Sequence, residues 1–271
     1  MEWYEGIILG LVQGLTEFLP VSSSGHLVIF RELLGVEASE DLVFEVTVHA
    51  ATVLSTLIVF RKPILNLLKG LFEFKYNDQT DYILKIGVSM IPVFIVGMFF
   101  KDYVEGLFGS LTGVGIALLV TAVLLLLSDM ASRVFKGNPV SRGTSEYRNG
   151  ISWWQALVVG LGQAIAVAPG LSRSGTTIST GLICGVKREV MAQFSFLMVL
   201  VPILGECFLD LVGGKMASST VGSSPLALGF VSAFLSGLFA CKAMIALVKK
   251  ARLGWFALYC AIVALLIFIF M

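Results

Sequence analysis

The sequence predicts an all-α integral membrane protein, a single membrane domain folded as an inverted-topology repeat with about six transmembrane helices and two re-entrant helical hairpins. Composition is the first reason: 57% hydrophobic against 14% charged residues describes a chain surrounded by hydrocarbon. The second is an internal repeat, since Gly10, Gln13, Ser22, Ser24 and Gly25 recur 150 positions later as Gly160, Gln163, Ser172, Ser174 and Gly175, while Pro20 and Pro169 miss that offset by one. The third is an uneven division of Lys and Arg among the loops.

Residues 7–19 are apolar but shorter than the ~20 needed to cross a bilayer, and they stop at Pro20, which disfavours helical geometry in the residue before it. A second short segment, 23–34, follows at once. Two half-length helices joined at Pro20-Val-Ser22 fit a re-entrant hairpin over 7–34, because broken backbone at membrane depth is tolerated only under protein or a wet cavity. Residues 155–185 repeat the design around Pro169-Gly170. Full spans are expected at 42–60, 82–100, 111–128, 190–212, 226–248 and 253–271. The first repeat covers about 1–128 and the second about 152–271, with Asn138-Pro139 and Arg142-Gly143 marking the seam.

Cytoplasmic loops retain Lys and Arg. Arg61, Lys62, Lys69 and Lys75 fall in one loop, Arg133, Lys136, Arg142 and Arg148 in another, Lys187 and Arg188 after the second hairpin, and Lys249, Lys250 and Arg252 before the last span. The alternate loops hold only Arg31, Lys101 and Lys215. Threading the spans through this pattern places both termini outside, with the first hairpin entering from outside and the second from the cytoplasm. Halves so inverted meet near the membrane midplane, where broken helices aim their ends at a shared site.

Several classes are excluded. A net charge of +1 argues against a nucleic-acid partner. Cys184, Cys207, Cys241 and Cys260 lie in apolar segments without metal-like spacing and read as small buried hydrophobes. The first basic residue is Arg31, so no cleaved signal peptide is expected.

The prolines set the geometry of the shared site. Ser22, Ser23 and Ser24 can cap a new helix after Pro20, and Ser172-Arg173-Ser174 can do the same after Pro169-Gly170, leaving unpaired amides at both tips. Such amides, the hydroxyls and the Arg173 fork make an anion site suited to phosphate. Glu17 beside them would repel an anion unless a cation lay between, and Mg²⁺ or Ca²⁺, which favour oxygen ligands shared with phosphates, fits that place. Duller explanations exist for each piece alone. Ser and Gly also serve close helix packing, Glu17 at an interface reaches headgroups, and a lone His26 more often bonds a carbonyl. Arg173 inside a hairpin is costly unless used, and the duplication of the polar, proline-broken segment favours a shared site. Glu45 and His49, four apart on one helix face, read as an interfacial pair, and Glu206, Asp210 and Lys242 stand outside the expected site.

At these residues the chain resembles the undecaprenyl pyrophosphate phosphatases, the bacitracin-resistance type of bacterial envelope enzyme. A first motif of Glu or Gln, three residues, then Glu stands as Gln13 to Glu17 and continues to His26, and a second, Pro-Gly-x-Ser-Arg-Ser-x-x-Thr, stands as Pro169 to Thr177. The resemblance covers essentially the whole chain, including Gln193-Phe-Ser-Phe-Leu197. Gln13 takes the permitted alternative to Glu, which removes one metal-binding charge.

The resemblance implies hydrolysis of a C55 isoprenyl diphosphate, undecaprenyl diphosphate, to the monophosphate and inorganic phosphate. This would recycle the lipid carrier of cell-wall synthesis with a divalent cation, Mg²⁺ or Ca²⁺, as cofactor. By resemblance Glu17 would support the metal or act as base, Ser23 would be the favoured nucleophile, His26 would shuttle a proton and Arg173 would stabilise the transferred phosphoryl group. Gln13, Ser22, Ser24, Ser172, Ser174 and Thr177 would hold oxygens. For the attacking group His26 and then metal-bound water follow Ser23 in order. The enzyme would sit in the bacterial inner membrane as a multi-pass protein opening to the outer, periplasmic side. Its partners are undecaprenyl diphosphate, membrane lipid and, as an open alternative, a second copy in a homodimer. The competing reading from another class is a transporter or lipid flippase, whose architecture also uses inverted repeats with broken helices.

Overall fold

Helix α1 (Trp3–Thr16) starts where the Glu2 amide donates to the Glu5 carboxylate at 2.6 Å, and ends at Glu17, short of Pro20. Helix α2 (Ser23–Leu34) begins on Ser22, whose hydroxyl accepts from the Gly25 amide, and stops at Gly35 in the left-handed region at φ 70°. The computed structural model describes residues 1–36, 41–100, 110–136, 148–212, 221–250 and 252–270. Its remaining helices are α3 (Asp41–Val59), α4 (Arg61–Leu71), α5 (Asp78–Phe99), α6 (Leu111–Lys136), α7 (Trp153–Ile165), α8 (Arg173–Ile183), α9 (Arg188–Val212), α10 (Ser223–Lys250) and α11 (Gly254–Phe270), with a 3-10 turn at Arg148–Gly150. No strand occurs among the described residues.

The expected full spans are met in part. Asp78–Phe99, Leu111–Ser132, Arg188–Gly205 and Ser223–Leu247 are long and apolar enough to cross a membrane. Val43–Val59 qualifies only together with Arg61–Leu71, from which it is bent by 74°, and Gly254–Phe270 is shorter. Length and composition therefore support four or five spans among the described residues. The segment expected as a basic loop after residue 60 is helix α4. Its Pro63, Ile64, Leu67 and Gly70 recur at helical spacing and turn toward the protein, while its cations lie on the other flanks. The turns at Asn138-Pro139 and Arg142-Gly143 and the loop cations Lys101 and Lys215 lie outside the described residues, as do the side chains of Arg133, Lys136, Glu206, Cys207, Asp210, Lys249 and Lys250. Cys184, Cys241 and Cys260 are free thiols.

Helices that cannot bury apolar surface from water must associate through close backbone contact. Gly6, Gly10 and Gly14 give α1 a groove in which α10 lies: a Cβ on Gly6 would stand 2.5 Å from the Pro225 carbonyl and one on Gly14 2.5 Å from that of Ala233, with Gly229 and Ser232 against Gly10. Gly160 of α7 meets the Ser89 backbone of α5 in the same manner. Helix α10 is held from its other side by α3, whose Ser55 hydroxyl donates to the Phe234 carbonyl at 2.8 Å. Helices α6 and α11 pack together through Gly115 and Phe268, and α8 sits on α6 through Ser179 and Ser128.

One end of the bundle gathers the cations. Gly70 of α4 abuts Gln79 of α5, Asn149 donates to the Asp78 carbonyl and to Asp81, Arg188 donates to Asp129 at 2.7 Å, and Gly254 lies beside the same Asp129. Lys85 is fully enclosed there, donating to Asp81 at 2.7 Å and to the Arg148 carbonyl, 5.7 Å from the Trp153 ring. Arg31, paired with Glu45 at 3.5 Å, stands toward the opposite end of α3.

Candidate active site

The two hairpin tips interlock. Ser22 caps α2 and Ser172 caps α8, their hydroxyls accepting from the Gly25 and Gly175 amides at 3.2 and 3.0 Å. The next residues face across the gap: the Ser24 hydroxyl accepts from the Gly170 amide at 3.2 Å, and the Ser174 hydroxyl donates to the Leu19 carbonyl at 3.3 Å. A Cβ on Gly25 would lie 3.5 Å from Gly170, and one on Gly175 3.3 Å from Pro20, so each tip leans on the other through the absence of a side chain. The turn geometry differs between the hairpins. Gly170 carries the left-handed φ of 84° in one hairpin, whereas Ser22 carries a φ of 71° in the other, a conformation costly for a residue with a Cβ.

This junction brings Glu17, Ser23, Arg173 and Gln13 together. The Ser23 hydroxyl donates to Glu17 Oε2 at 2.5 Å, Gln13 Nε2 donates to the same oxygen at 3.0 Å, and Arg173 Nη2 approaches Oε1 at 3.4 Å from the other hairpin. The Glu17 side chain is 6% exposed, so its charge is tolerated only because this cation and these donors surround it. Gly25 and His26 amides are paired with Ser22, which leaves those of Ser23 and Ser24 open at the positive end of α2.

His49 completes the cluster, although its place in the sequence suggests only an interfacial residue. Its Nδ1 faces the Glu45 carbonyl at 2.8 Å, which can only accept, so the ring turns Nε2 to Glu17 Oε2 at 3.9 Å. The signal is present in the spacing: Glu45, His49, Thr52 and Thr56 recur along one face of α3, and Thr52 and Thr56 line the cavity beside Glu17.

Other expected residues are placed elsewhere. His26 is not brought to Glu17; its Nδ1 donates to the Ser22 carbonyl at 2.7 Å, its Nε2 accepts from Tyr259 at 2.8 Å, and the two rings stack 5.6 Å apart. Thr177 is buried against α9, sharing a 2.6 Å hydrogen bond with Ser195 and donating to the Arg173 carbonyl. Ser22 and Ser172 act on backbone, and Ser24 and Ser174 bridge the tips.

The cavity at Glu17 holds about 20 Å³, room for roughly one water. Ser174, Thr52 and Thr56 make its polar side, and Val53, Leu200 and Ile203 of the facing α3 and α9 make its apolar side. A larger cavity of about 200 Å³ lies near the cationic end between α4, α5 and α9, and lacks any of the clustered site residues. Among the described residues no group of three or more His, Cys, Asp or Glu could hold a metal ion. The oxygens do suit a hard cation shared with a ligand: beside the Glu17 carboxylate, Gln13 Oε1 is buried without a partner.

Comparison with known proteins follows the same residues. Residues 6–266 match the family described as Bacitracin resistance protein BacA. The chain is 51% identical over 267 residues to a Bacteroides fragilis protein named Undecaprenyl-diphosphatase, covering 97% of this chain and 96% of that one. Proteins of the same name from Bacteroides thetaiotaomicron, 51% identical over 273 residues with 99% of both chains covered, and Christiangramia forsetii, 48% identical over 273 residues with 100% of this chain and 98% of that one covered, are similar throughout.

Proposed function

The chain belongs to the BacA family of bacitracin resistance proteins, and from that premise and the geometry of the hairpin junction we propose that it is a membrane phosphatase that hydrolyses undecaprenyl diphosphate to undecaprenyl phosphate and inorganic phosphate. The observation that carries this reading is the 2.5 Å hydrogen bond from Ser23 to Glu17, with Arg173 delivered to the same carboxylate by the opposite hairpin.

Phosphoryl transfer asks a protein mainly for positioning and charge neutralisation. In this reading Ser23 Oγ attacks the terminal phosphorus while Glu17 Oε2 takes its proton. The bond from that phosphorus to the bridging oxygen breaks, and its electron pair leaves with undecaprenyl phosphate. Glu17 passes that proton to the departing phosphate oxygen and is again a carboxylate. Water then attacks the phosphoserine, and Glu17 takes a proton from it and returns it to Ser23 Oγ as the Oγ–phosphorus bond breaks and phosphate departs. Arg173 and the open amides of Ser23 and Ser24 hold the equatorial oxygens as charge builds on them. Glu17 and Gln13 would hold a divalent cation, Mg²⁺ or Ca²⁺, which when bound screens the diphosphate charge. His26, fixed between Ser22 and Tyr259, keeps the α2 tip in place and is assigned no attacking role.

The same proposal includes one membrane domain of two inverted repeats, with about six spans and hairpins at 7–34 and 155–185. The reciprocal tip contacts support it, as do the seating of α1 on α10 and of α7 on α5. It also places the protein in the inner membrane with the cationic end in the cytoplasm and the Glu17 site opening outward, which the clustering of Arg61, Lys62, Arg148 and Arg188 near one end supports. A diphosphate exceeds a 20 Å³ cavity, so binding requires α3 and α9 to part.

The test is phosphate release by the purified full-length protein in detergent, given a prenyl diphosphate and Mg²⁺. Turnover that a chelator stops, and that Ser23→Ala reduces at least about a thousandfold, is expected. Binding of the diphosphate without release would overturn the proposal in favour of a lipid transporter.

A further inference from the structure

Helix α4 has three flanks. Pro63, Ile64, Leu67 and Gly70 face the protein. Leu65, Leu68 and Phe72 are 55%, 42% and 69% exposed and share a second flank at helical spacing. Lys62, Asn66, Lys69 and Glu73 form the third, all exposed. Such an arrangement suits neither a water-facing helix nor a spanning one. With α3 crossing the bilayer, the 74° bend at Phe60 lays α4 nearly along its surface. One flank then rests on protein, one sinks into acyl chains and one meets the headgroups.

The charge of that third flank selects the headgroup. From residue 61 to residue 75 the cations are Arg61, Lys62, Lys69 and Lys75, and the sole acid is Glu73. Lys62 and Lys69 have no acidic partner among the described residues. They stand seven residues apart on one line, roughly 10 Å along the axis, close to the spacing of neighbouring headgroups. Phe74, 90% exposed at a φ of 50°, extends the apolar edge beyond the helix, and Trp154 stands exposed near the same end.

We propose that α4 is a binding site for anionic phospholipid, with Lys62 and Lys69 pairing with headgroup phosphates while Leu65, Leu68 and Phe72 enter the acyl region beneath. The site is independent of the phosphatase reading. Because α4 continues α3 through a single residue, lipid held there fixes the depth of Thr52 and Thr56 beside the Glu17 cavity.

The full-length protein in phosphatidylcholine–detergent micelles tests this by energy transfer from its tryptophans to dansyl-labelled phosphatidylglycerol, with labelled phosphatidylcholine as the comparison. Each lysine at a charged interface is worth about fivefold in affinity, so Lys62→Gln with Lys69→Gln should weaken phosphatidylglycerol binding about 25-fold, and the paired Arg substitutions should retain it. Binding should also fall as salt is raised to about 0.5 M. Unchanged binding by the double Gln variant, or equal binding of both lipids by the native protein, overturns the site. Competition by soluble glycerol 1-phosphate as effective as that of the lipid would make it a soluble-anion site and overturns it as well. Should the double variant fail to fold, the salt series on the native protein decides: phosphatidylglycerol binding that does not weaken with salt overturns the site.

Discussion

Replacing Arg173 by Gln should damage stability and activity separately, and a second substitution should pull the two apart. The guanidinium stands 3.4 Å from a carboxylate that is 6% exposed. At an effective dielectric of about 20 the pair attraction at that distance is about 5 kcal/mol. Arg173 is itself 24% exposed and His49 approaches the same carboxylate at 3.9 Å, so less than half of that is lost, about 2 kcal/mol, when Gln replaces Arg. Glu17→Gln should cost a similar amount by leaving Arg173 facing a neutral amide. The double variant places two amides at the contact with no uncompensated charge, and its stability should return to within about 1 kcal/mol of the native protein. All three variants should lose phosphate release almost completely. Thermal unfolding in detergent, followed by tryptophan fluorescence beside the phosphate assay, reads both quantities, and about 2 kcal/mol corresponds to several degrees. Additive destabilisation in the double variant would refute the ion pair as the link between the hairpins. Recovery of turnover in the double variant would refute the roles given to both residues.

Other consequences follow from the packing. Gly14→Leu forces a side chain into the Ala233 carbonyl and should destabilise the α1–α10 contact by about 3 kcal/mol, read as loss of monodisperse protein on gel filtration. Cysteines at Val53 and Leu200, which line the same cavity from α3 and α9, should stop turnover when bridged and restore it on reduction; full activity of the bridged form would show that the helices need not part. Tyr259→Phe removes the hydroxyl that donates to His26, and if His26 only holds the α2 tip, kcat should fall by less than about tenfold, whereas a loss near that of Ser23→Ala would make His26 a participant.

The parts of this molecule that are legible in its sequence are those fixed by local chemistry. Pro20 and Pro169 end their helices, and the serines that follow begin the next ones, so α2 starts at Ser23 and α8 at Arg173 as the motif spacing requires. The meeting of Glu17 with Ser23 follows from the same short loop. What escapes depends on contacts between distant segments. Thr177 sits one turn from Arg173 and resembles a ligand-binding hydroxyl in sequence, yet its partner is Ser195, which only the docking of α9 supplies. His49 reads in sequence as an interfacial residue paired with Glu45, and only the approach of α1 to α3 brings it to Glu17. Helix α4 carries a marked amphipathic pattern in its sequence, but its cations in a short segment between two apolar stretches read first as a basic loop.

The division of labour between the two hairpins has an electrostatic cause. Both tips offer open amides and hydroxyls, and both carry a buried glutamine at the same offset, Gln13 and Gln163. Had each also carried an acid, two carboxylates would face one another across a buried gap, and each would oppose the anion that the amides attract. Around Val167, the position matching Glu17, there is no acid, and the position matching Ser23 is Arg173. One hairpin therefore carries the carboxylate and the other a fixed positive charge, and the two meet where the tips interlock as Ser24 with Gly170 and Ser174 with Leu19. Gln163 is buried with neither amide atom hydrogen-bonded, although among the described residues no carboxylate stands beside it as Glu17 stands beside Gln13. If the proposed chemistry is assembled across this junction, loosening either tip should abolish turnover before it unfolds the bundle.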